Sequence, residues 1–344
     1  HRLPDWLMAA SSASAYGAAT AQRTFELENR IQATDDASIY DYDEVEQEQI
    51  YEKAPWNEDV QFFKLARISA VALIKIVMHA KSGVPQEVMG LMQGKVTKDG
   101  TFVIVDAFPL PVEGTETRVS AGAGANEYMV NFTEACERLG KKQNVCGWYH
   151  SHPEYGCWLS GIDVRTQMAY QKHQEPFLAV VVDPVRTCAS GKVEIGAFRT
   201  YPEGHTAEGP SEYQSIPLEK IEDFGVHCKQ YYQVPVEVFK NSLDNTLLEL
   251  LWNKYWIDTL SSSPLLHNKG FSQRMIQDAV QKLEQIDTTS VSQPKLRMLE
   301  PKKRQEDNPL GKVSMDVAVM ASEQVQGITN QVVKLSLFNR CHAQ

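Results

Sequence analysis

Apolar side chains recur at two spacings along this chain, and the switches between them divide it into elements. From Phe62 to Ala80 they cover most of a helical wheel, which predicts one helix buried on several sides and ending near Ser82-Gly83. Residues 87–96 alternate loosely and 102–108 are strongly apolar; the Lys98-Asp99-Gly100 turn between them predicts a hairpin. Residues 109–124 carry glycines and prolines and read as an exposed, mobile loop. Helical spacing returns over 126–139, where Tyr128, Met129, Phe132 and Cys136 share a face. A strand follows at 144–149, then a helix at 163–173 for which Ser160 is the candidate N-cap. The run 176–183 predicts a fully buried strand, pairing with 192–199 across a Ser190-Gly191 turn.

Outside this block the pattern weakens. Residues 1–55 are Ala/Ser-rich and then acidic, which predicts a tail, partly disordered or docked on a partner, with a helix near 24–32. Residues 201–233 read as a second irregular insertion. From Pro235 the character is helical, over 238–256 and 272–286, with a polar stretch at 287–312 that includes Lys302-Lys303-Arg304. The basic triplet reads as a nuclear signal or as a solvated linker. Between Val317 and Phe338 apolar residues keep a 3–4 spacing for about six turns. Such a stripe suits a helix that enters a bundle with other chains, or one that folds back on its own domain. The expected organisation is a tail at 1–55, a catalytic domain at 56–235 and a helical region at 236–344.

Composition narrows the function classes. A net charge of −10 argues against broad nucleic-acid binding, which needs a basic footprint. The most apolar run, Ile68 to Met78, is short and contains Lys75, so it predicts no membrane span. The N-terminus makes a poor signal peptide, and Met8 is a candidate start residue. The six cysteines form no C-x-x-C pair, as expected of free thiols in a reducing compartment.

The candidate chemistry lies between His150 and Asp163. Side chains alternate faces along a strand, so His150 and His152 point the same way and can grip one metal ion. A lone H-x-H is also an ordinary strand or loop pattern. The whole string His150-x-His152-Pro153-x6-Ser160-x2-Asp163 is far more restrictive. Asp163 supplies a third ligand; two imidazoles, one carboxylate and no thiolate describe a catalytic zinc site with a position left for water. Zinc there lowers the pKa of its water towards 7. The reaction then needs a general base, and Glu87 is the candidate because a carboxylate has little other reason to open an apolar strand. Ser160 is a candidate hydrogen-bond donor to the developing oxyanion, in addition to capping the helix. Cys157 has no spare motif histidine to activate it and reads as a structural thiol.

Glu87, His150-x-His152-Pro153, Ser160 and Asp163 together resemble the signature of the JAMM/MPN+ zinc isopeptidases. The segments around Glu87-Val-Met-Gly, Glu113-Gly-Thr-Glu-Thr-Arg118, Gly147-Trp-Tyr-His and Asp223-Phe-Gly-Val-His are similar to the branch of that family that works in the COP9 signalosome. The similarity runs from about residue 20 to residue 285 and then thins, with a C-terminal helix still in keeping. It implies an α/β fold, an MPN domain whose central mixed sheet is flanked by helices, with a C-terminal helical extension. It also implies one Zn2+ per chain and removal of a ubiquitin-like modifier (NEDD8) from neddylated cullins. Partners would be the other signalosome subunits, met through an MPN–MPN heterodimer and a C-terminal helical bundle, in the cytoplasm and nucleus. A proteasome-lid deubiquitinase shares the central motif, and a catalytically silent MPN scaffold shares the fold. In loop 109–124, Glu116 is a candidate fourth ligand that silences the isolated subunit, with Arg118 holding one position of the loop. One residue departs from the pattern: Glu154 stands where relatives usually place glycine. If that glycine used a positive φ, glutamate carries a steric cost there, and a carboxylate beside the cleft could disturb substrate entry.

Overall fold

The computed structural model describes residues 22–23, 25–34, 37–111, 123–202, 204–205, 214–251, 264–292 and 309–339. Its centre is a nine-stranded mixed sheet. In chain order the strands are β1 (Gln32–Ala33), β2 (Leu65–Ser69), β3 (Met89–Val96), β4 (Thr101–Pro109), β5 (Asn144–Ser151), β6 (Leu178–Asp183), β7 (Glu194–Thr200), β8 (Tyr231–Val234) and β9 (Val236–Lys240). Their spatial order is β1-β9-β2-β4-β3-β5-β6-β7-β8. The helices are α1 (Glu44–Lys53), α2 (Ala70–Gly83), α3 (Ala123–Arg138), α4 (Gly161–His173), α5 (Pro184–Ser190), α6 (Ile221–His227), α7 (Ser242–Leu251), α8 (Pro264–Ser292) and α9 (Pro309–Asn339).

The two faces of the sheet are covered separately. On one, α2 buries Leu73, Ile74, Ile76 and Val77 in a core that continues through Ile68, Phe102, Ile104 and Val180. Each such aliphatic side chain contributes about 1.5–3 kcal/mol by leaving water. On the other, Phe132 of α3 and Val164 and Met168 of α4 pack on Phe108, Trp148, Phe177 and Val181. The expected hairpin forms, β3 antiparallel to β4, and β3 is also antiparallel to β5. That second pairing sets the site, because it brings the start of β3 to the end of β5.

Several expectations need correction. The single helix expected over 62–80 is a strand followed by a helix. Residues 65–69 are held between β4 and β9, and the Ser69 hydroxyl accepts from the Ala72 amide to begin α2. Tertiary pairing overrides a pattern that fits either period. Strands β6 and β7 are joined through α5 rather than a turn, since Asp183 caps that helix and Pro184 begins it.

The domain limits also shift. The described residues from 22 onward are built into the domain rather than forming a tail: Phe25 is buried, β1 pairs with β9, and Gln47 makes two hydrogen bonds to the main chain of Val96. The insertion expected at 201–233 contains α6 and the beginning of β8, and the helical region expected from 236 opens with β9, inside the sheet. Helices α8 and α9 pack on each other and on α5. The C-terminal stripe therefore folds back on its own chain over part of its surface. No helix among the described residues is long and apolar enough to cross a membrane. Glu116 and Arg118 lie outside the described residues, as do the Lys302–Arg304 triplet and most of loop 109–124.

Candidate metal centre

Strand β5 carries His150 to the rim of the sheet, and the chain leaves the strand one residue later at Ser151. The His152 amide still donates to the Val182 carbonyl, at 2.9 Å, so the second histidine stays anchored to β6. Side-chain torsions close the remaining distance: the two Nε2 atoms lie 2.9 Å apart. Asp163, in the first turn of α4, brings Oδ2 to 3.4 Å from His150 Nε2 and 3.6 Å from His152 Nε2. Both imidazoles are almost fully buried, and among the described residues these three form the group of His, Cys, Asp and Glu side chains whose ligand atoms converge closely enough to hold a metal.

The donor set fits zinc. Tetrahedral coordination with bonds of about 2.0–2.1 Å separates neighbouring ligand atoms by about 3.4 Å, close to the spacing of this cluster. Three ligand atoms of the zinc-binding type, two imidazole nitrogens and a carboxylate oxygen, converge here on one point that a cation between them would satisfy. The hydrogen-bond frame supports the same assignment. His152 Nδ1 lies 3.1 Å from the Gly156 carbonyl, which requires Nδ1–H and leaves the Nε2 lone pair to the metal. The Trp148 indole lies 4.5 Å from His150, within 13° of parallel, and is itself fixed by donating to Gln167 at 2.8 Å. Tyr155 stacks against His152 at 4.4 Å. Among the described residues His150 Nδ1 has no hydrogen-bond partner.

Burial and the Asp163 carboxylate dominate the electrostatics of the cluster. Burial opposes a charged His150, yet the Asp163 carboxylate, aided by Glu87, raises its pKa above the usual value. Burial and the neighbouring His150 push His152 down to about 4. Burial disfavours the Asp163 charge, but the two histidines outweigh it and hold the carboxyl well below its usual range. A cation resting among these three groups would face the buried Asp163 carboxylate directly.

Glu87 reaches the site through register. Met89 stands opposite His150, and Val88 exchanges hydrogen bonds with Ser151, its amide donating to the hydroxyl and its carbonyl accepting from the amide, both at 3.0 Å. Glu87, one residue further out and half-buried, therefore sits at the rim beside the ligands, near enough for its charge to act on His150. Ser160 is more tightly committed than expected. Its amide and its hydroxyl both donate to Asp163 Oδ2, at 2.9 and 2.7 Å, and its oxygen accepts from the Asp163 amide. Its proton is thus directed at the ligand carboxylate. Cys157 is partly buried, and the loss of solvent around its thiol raises its pKa well above that of a free thiol; it points at the Glu194 carbonyl.

Sequence reasoning missed the residues that shape the turn after His152. Glu154 and Gly156 both have φ of 83°. Their amides donate to the two oxygens of Asp183, at 3.1 and 3.0 Å, and Asp183 is fully buried. Arg186 donates to the Glu154 carbonyl at 3.3 Å and to the Ser215 carbonyl at 2.9 Å. The only local signal was the Asp183-Pro184 pair, which reads as a helix start and gives no hint that the same carboxylate gathers a turn about 30 residues earlier.

Comparison with known proteins agrees with this geometry. Residues 61–176 match the family described as JAB1/Mov34/MPN/PAD-1 ubiquitin protease, and residues 261–339 the one described as Cop9 signalosome subunit 5 C-terminal domain. The chain is 54% identical over 327 residues to COP9 signalosome complex subunit 5 of Dictyostelium discoideum, covering 94% of this chain and 97% of that protein. It is 54% identical to subunit 5a of Arabidopsis thaliana, covering 93% and 92%. Identity to subunit 5 of Drosophila melanogaster is 53%, covering 93% and 97%.

Proposed function

The chain belongs to the COP9 signalosome subunit 5 family, whose central region is a JAB1/Mov34/MPN/PAD-1 domain, and we propose that it is the zinc-dependent isopeptidase of such a complex. Its reaction would be hydrolysis of the amide joining a ubiquitin-like modifier, NEDD8, to a lysine of a cullin. The observation that carries this reading is the convergence of His150, His152 and Asp163 beside Glu87 at one rim of the sheet.

His150, His152 and Asp163 would hold the ion. Bound zinc supplies a water that ionises near neutral pH and a Lewis acid for the scissile carbonyl. Glu87 acts as the base: its carboxylate takes a proton from the attacking water and returns it to the leaving lysine amine. Ser160 keeps Asp163 oriented, and the Gly156 carbonyl keeps His152 in the tautomer that presents Nε2. Trp148 and Tyr155 wall the two imidazoles and exclude bulk water from their faces, which strengthens every charge interaction inside.

Assembly with other subunits through the C-terminal helices is part of the same reading. Ile276, Val280 and Leu283 on α8 and Val325, Ile328 and Val332 on α9 leave large apolar surfaces exposed at helical spacing. The five cysteines of the described residues are free, as suits the reducing cytoplasm and nucleus.

The test is metal analysis together with cleavage of neddylated cullin and of ubiquitin chains by wild type and Asp163→Asn. Stoichiometric zinc and cullin cleavage in the wild type, both lost in the variant, are expected. A zinc-free wild type overturns the enzyme reading, and preference for ubiquitin chains moves the substrate to the proteasome-lid type.

A further inference from the structure

The residue that departs from the family pattern has a partner. Glu154 Oε2 accepts from Arg274 Nε at 2.6 Å, and Oε1 accepts from Arg274 Nη2, a two-pronged pair between the turn after His152 and helix α8. The residues are 120 apart in sequence, so no local pattern announces the contact.

Helix α8 is firmly placed to make it. Arg274, Asp278 and Lys282 follow one another at four-residue intervals on one face of the helix. Asp278 accepts from the Leu218 amide, and buried Lys282 donates to the Ile216 carbonyl and to Asp316 of α9, each at 2.7 Å. The segment anchored by these two residues is the one whose Ser215 carbonyl Arg186 grips, and Arg186 also holds the Glu154 carbonyl. The turn is therefore tied to α8 at its side chain and to α5 at its main chain.

We propose that Glu154 and Arg274 form a clamp through which helix α8 positions the turn after His152, and with it the His152 ring. The proposal rests on the zinc-site reading above. The connection is short: Arg274 holds Glu154, the amides of Glu154 and Gly156 share Asp183, and the Gly156 carbonyl orients His152. Glutamate at a φ of 83° carries a strain that glycine would not. The ion pair, partly exposed to solvent, offsets some of that strain, so a residue that looks misplaced in the motif works as a link to the C-terminal helices. Both are positioning residues; neither touches the ligand atoms.

The test uses the full chain. Arg274→Glu is expected to speed hydrogen exchange of the Glu154 and Gly156 amides, and release of zinc to a chelator, by roughly two- to fivefold. Glu154→Arg combined with Arg274→Glu re-forms the pair with charges exchanged and should restore both rates. Glu154→Gly relaxes the backbone, so it should stabilise the chain more in the Arg274→Glu background than in the wild type. Unchanged exchange and zinc release in a folded Arg274→Glu chain overturn the clamp, as does equal stabilisation in both backgrounds. If the wild-type chain takes up no zinc, the function reading fails, while amide exchange still decides the clamp.

Discussion

Ser160 and Asp163 hold one another in a closed ring: the serine amide and hydroxyl both donate to Asp163 Oδ2, and the Asp163 amide donates back to the hydroxyl oxygen. The helix cap and the ligand carboxylate are thus one unit. Ser160→Ala removes the hydroxyl proton from the carboxylate and one cap bond from α4. Zinc affinity, measured by chelator competition, should fall about 10-fold or more, and stability by about 1 kcal/mol. Cleavage lost at unchanged zinc affinity would instead make Ser160 a donor to the reacting oxyanion.

Glu87 should separate metal binding from turnover. Glu87→Gln keeps the shape of the rim but cannot accept a proton. Zinc content should stay stoichiometric while kcat falls by about 10²–10⁴. Loss of zinc along with activity would assign Glu87 to holding the site together rather than to proton transfer.

Asp183 gathers four main-chain amides, those of Glu154, Gly156, Val185 and Arg186. Asp183→Asn turns one acceptor oxygen into a donor facing donors. The expected result is a loss of about 1–3 kcal/mol in urea unfolding, with faster zinc release because the turn behind His152 loosens. A variant as stable as wild type with unchanged zinc release would remove Asp183 from the account of the site.

Asp106 gives a pH test away from the metal. It is mostly buried, which disfavours its charge, but Lys75 and Lys141 at 2.5 and 3.0 Å outweigh burial and lower its pKa. A folded pKa below the unfolded value of about 3.9 means the stabilisation is present above that pH and lost as pH falls through the folded value. Wild type should therefore exceed Asp106→Asn by about 1 kcal/mol near pH 7, a modest figure because both lysines are over a third exposed. The gap should close in acid-titrated unfolding curves below about pH 4. A gap that persists at low pH would assign the effect to shape rather than charge.

What the sequence determined by itself was the local chemistry. Alternation along β5 sets His150 and His152 on one side, and the Ser160–Asp163 spacing is a helix start, so three ligands within fourteen positions need only short-range geometry. The hairpin β3–β4 was legible for the same reason. Glu87 stood out as a carboxylate opening an apolar strand, and the family resemblance placed it in the same set as the ligands. Only the tertiary structure decided how Glu87 gets there, because the antiparallel register that sets Met89 opposite His150 is a pairing between distant strands. The strand at 65–69 and the placement of the described residues between 22 and 53 on the domain were also tertiary outcomes, since sheet neighbours override ambiguous local periodicity. The turn after His152 shows the difference most sharply. Glu154 looked like a flaw in the motif, and its meaning depends on Asp183, Arg186 and Arg274, residues that folding alone brings together.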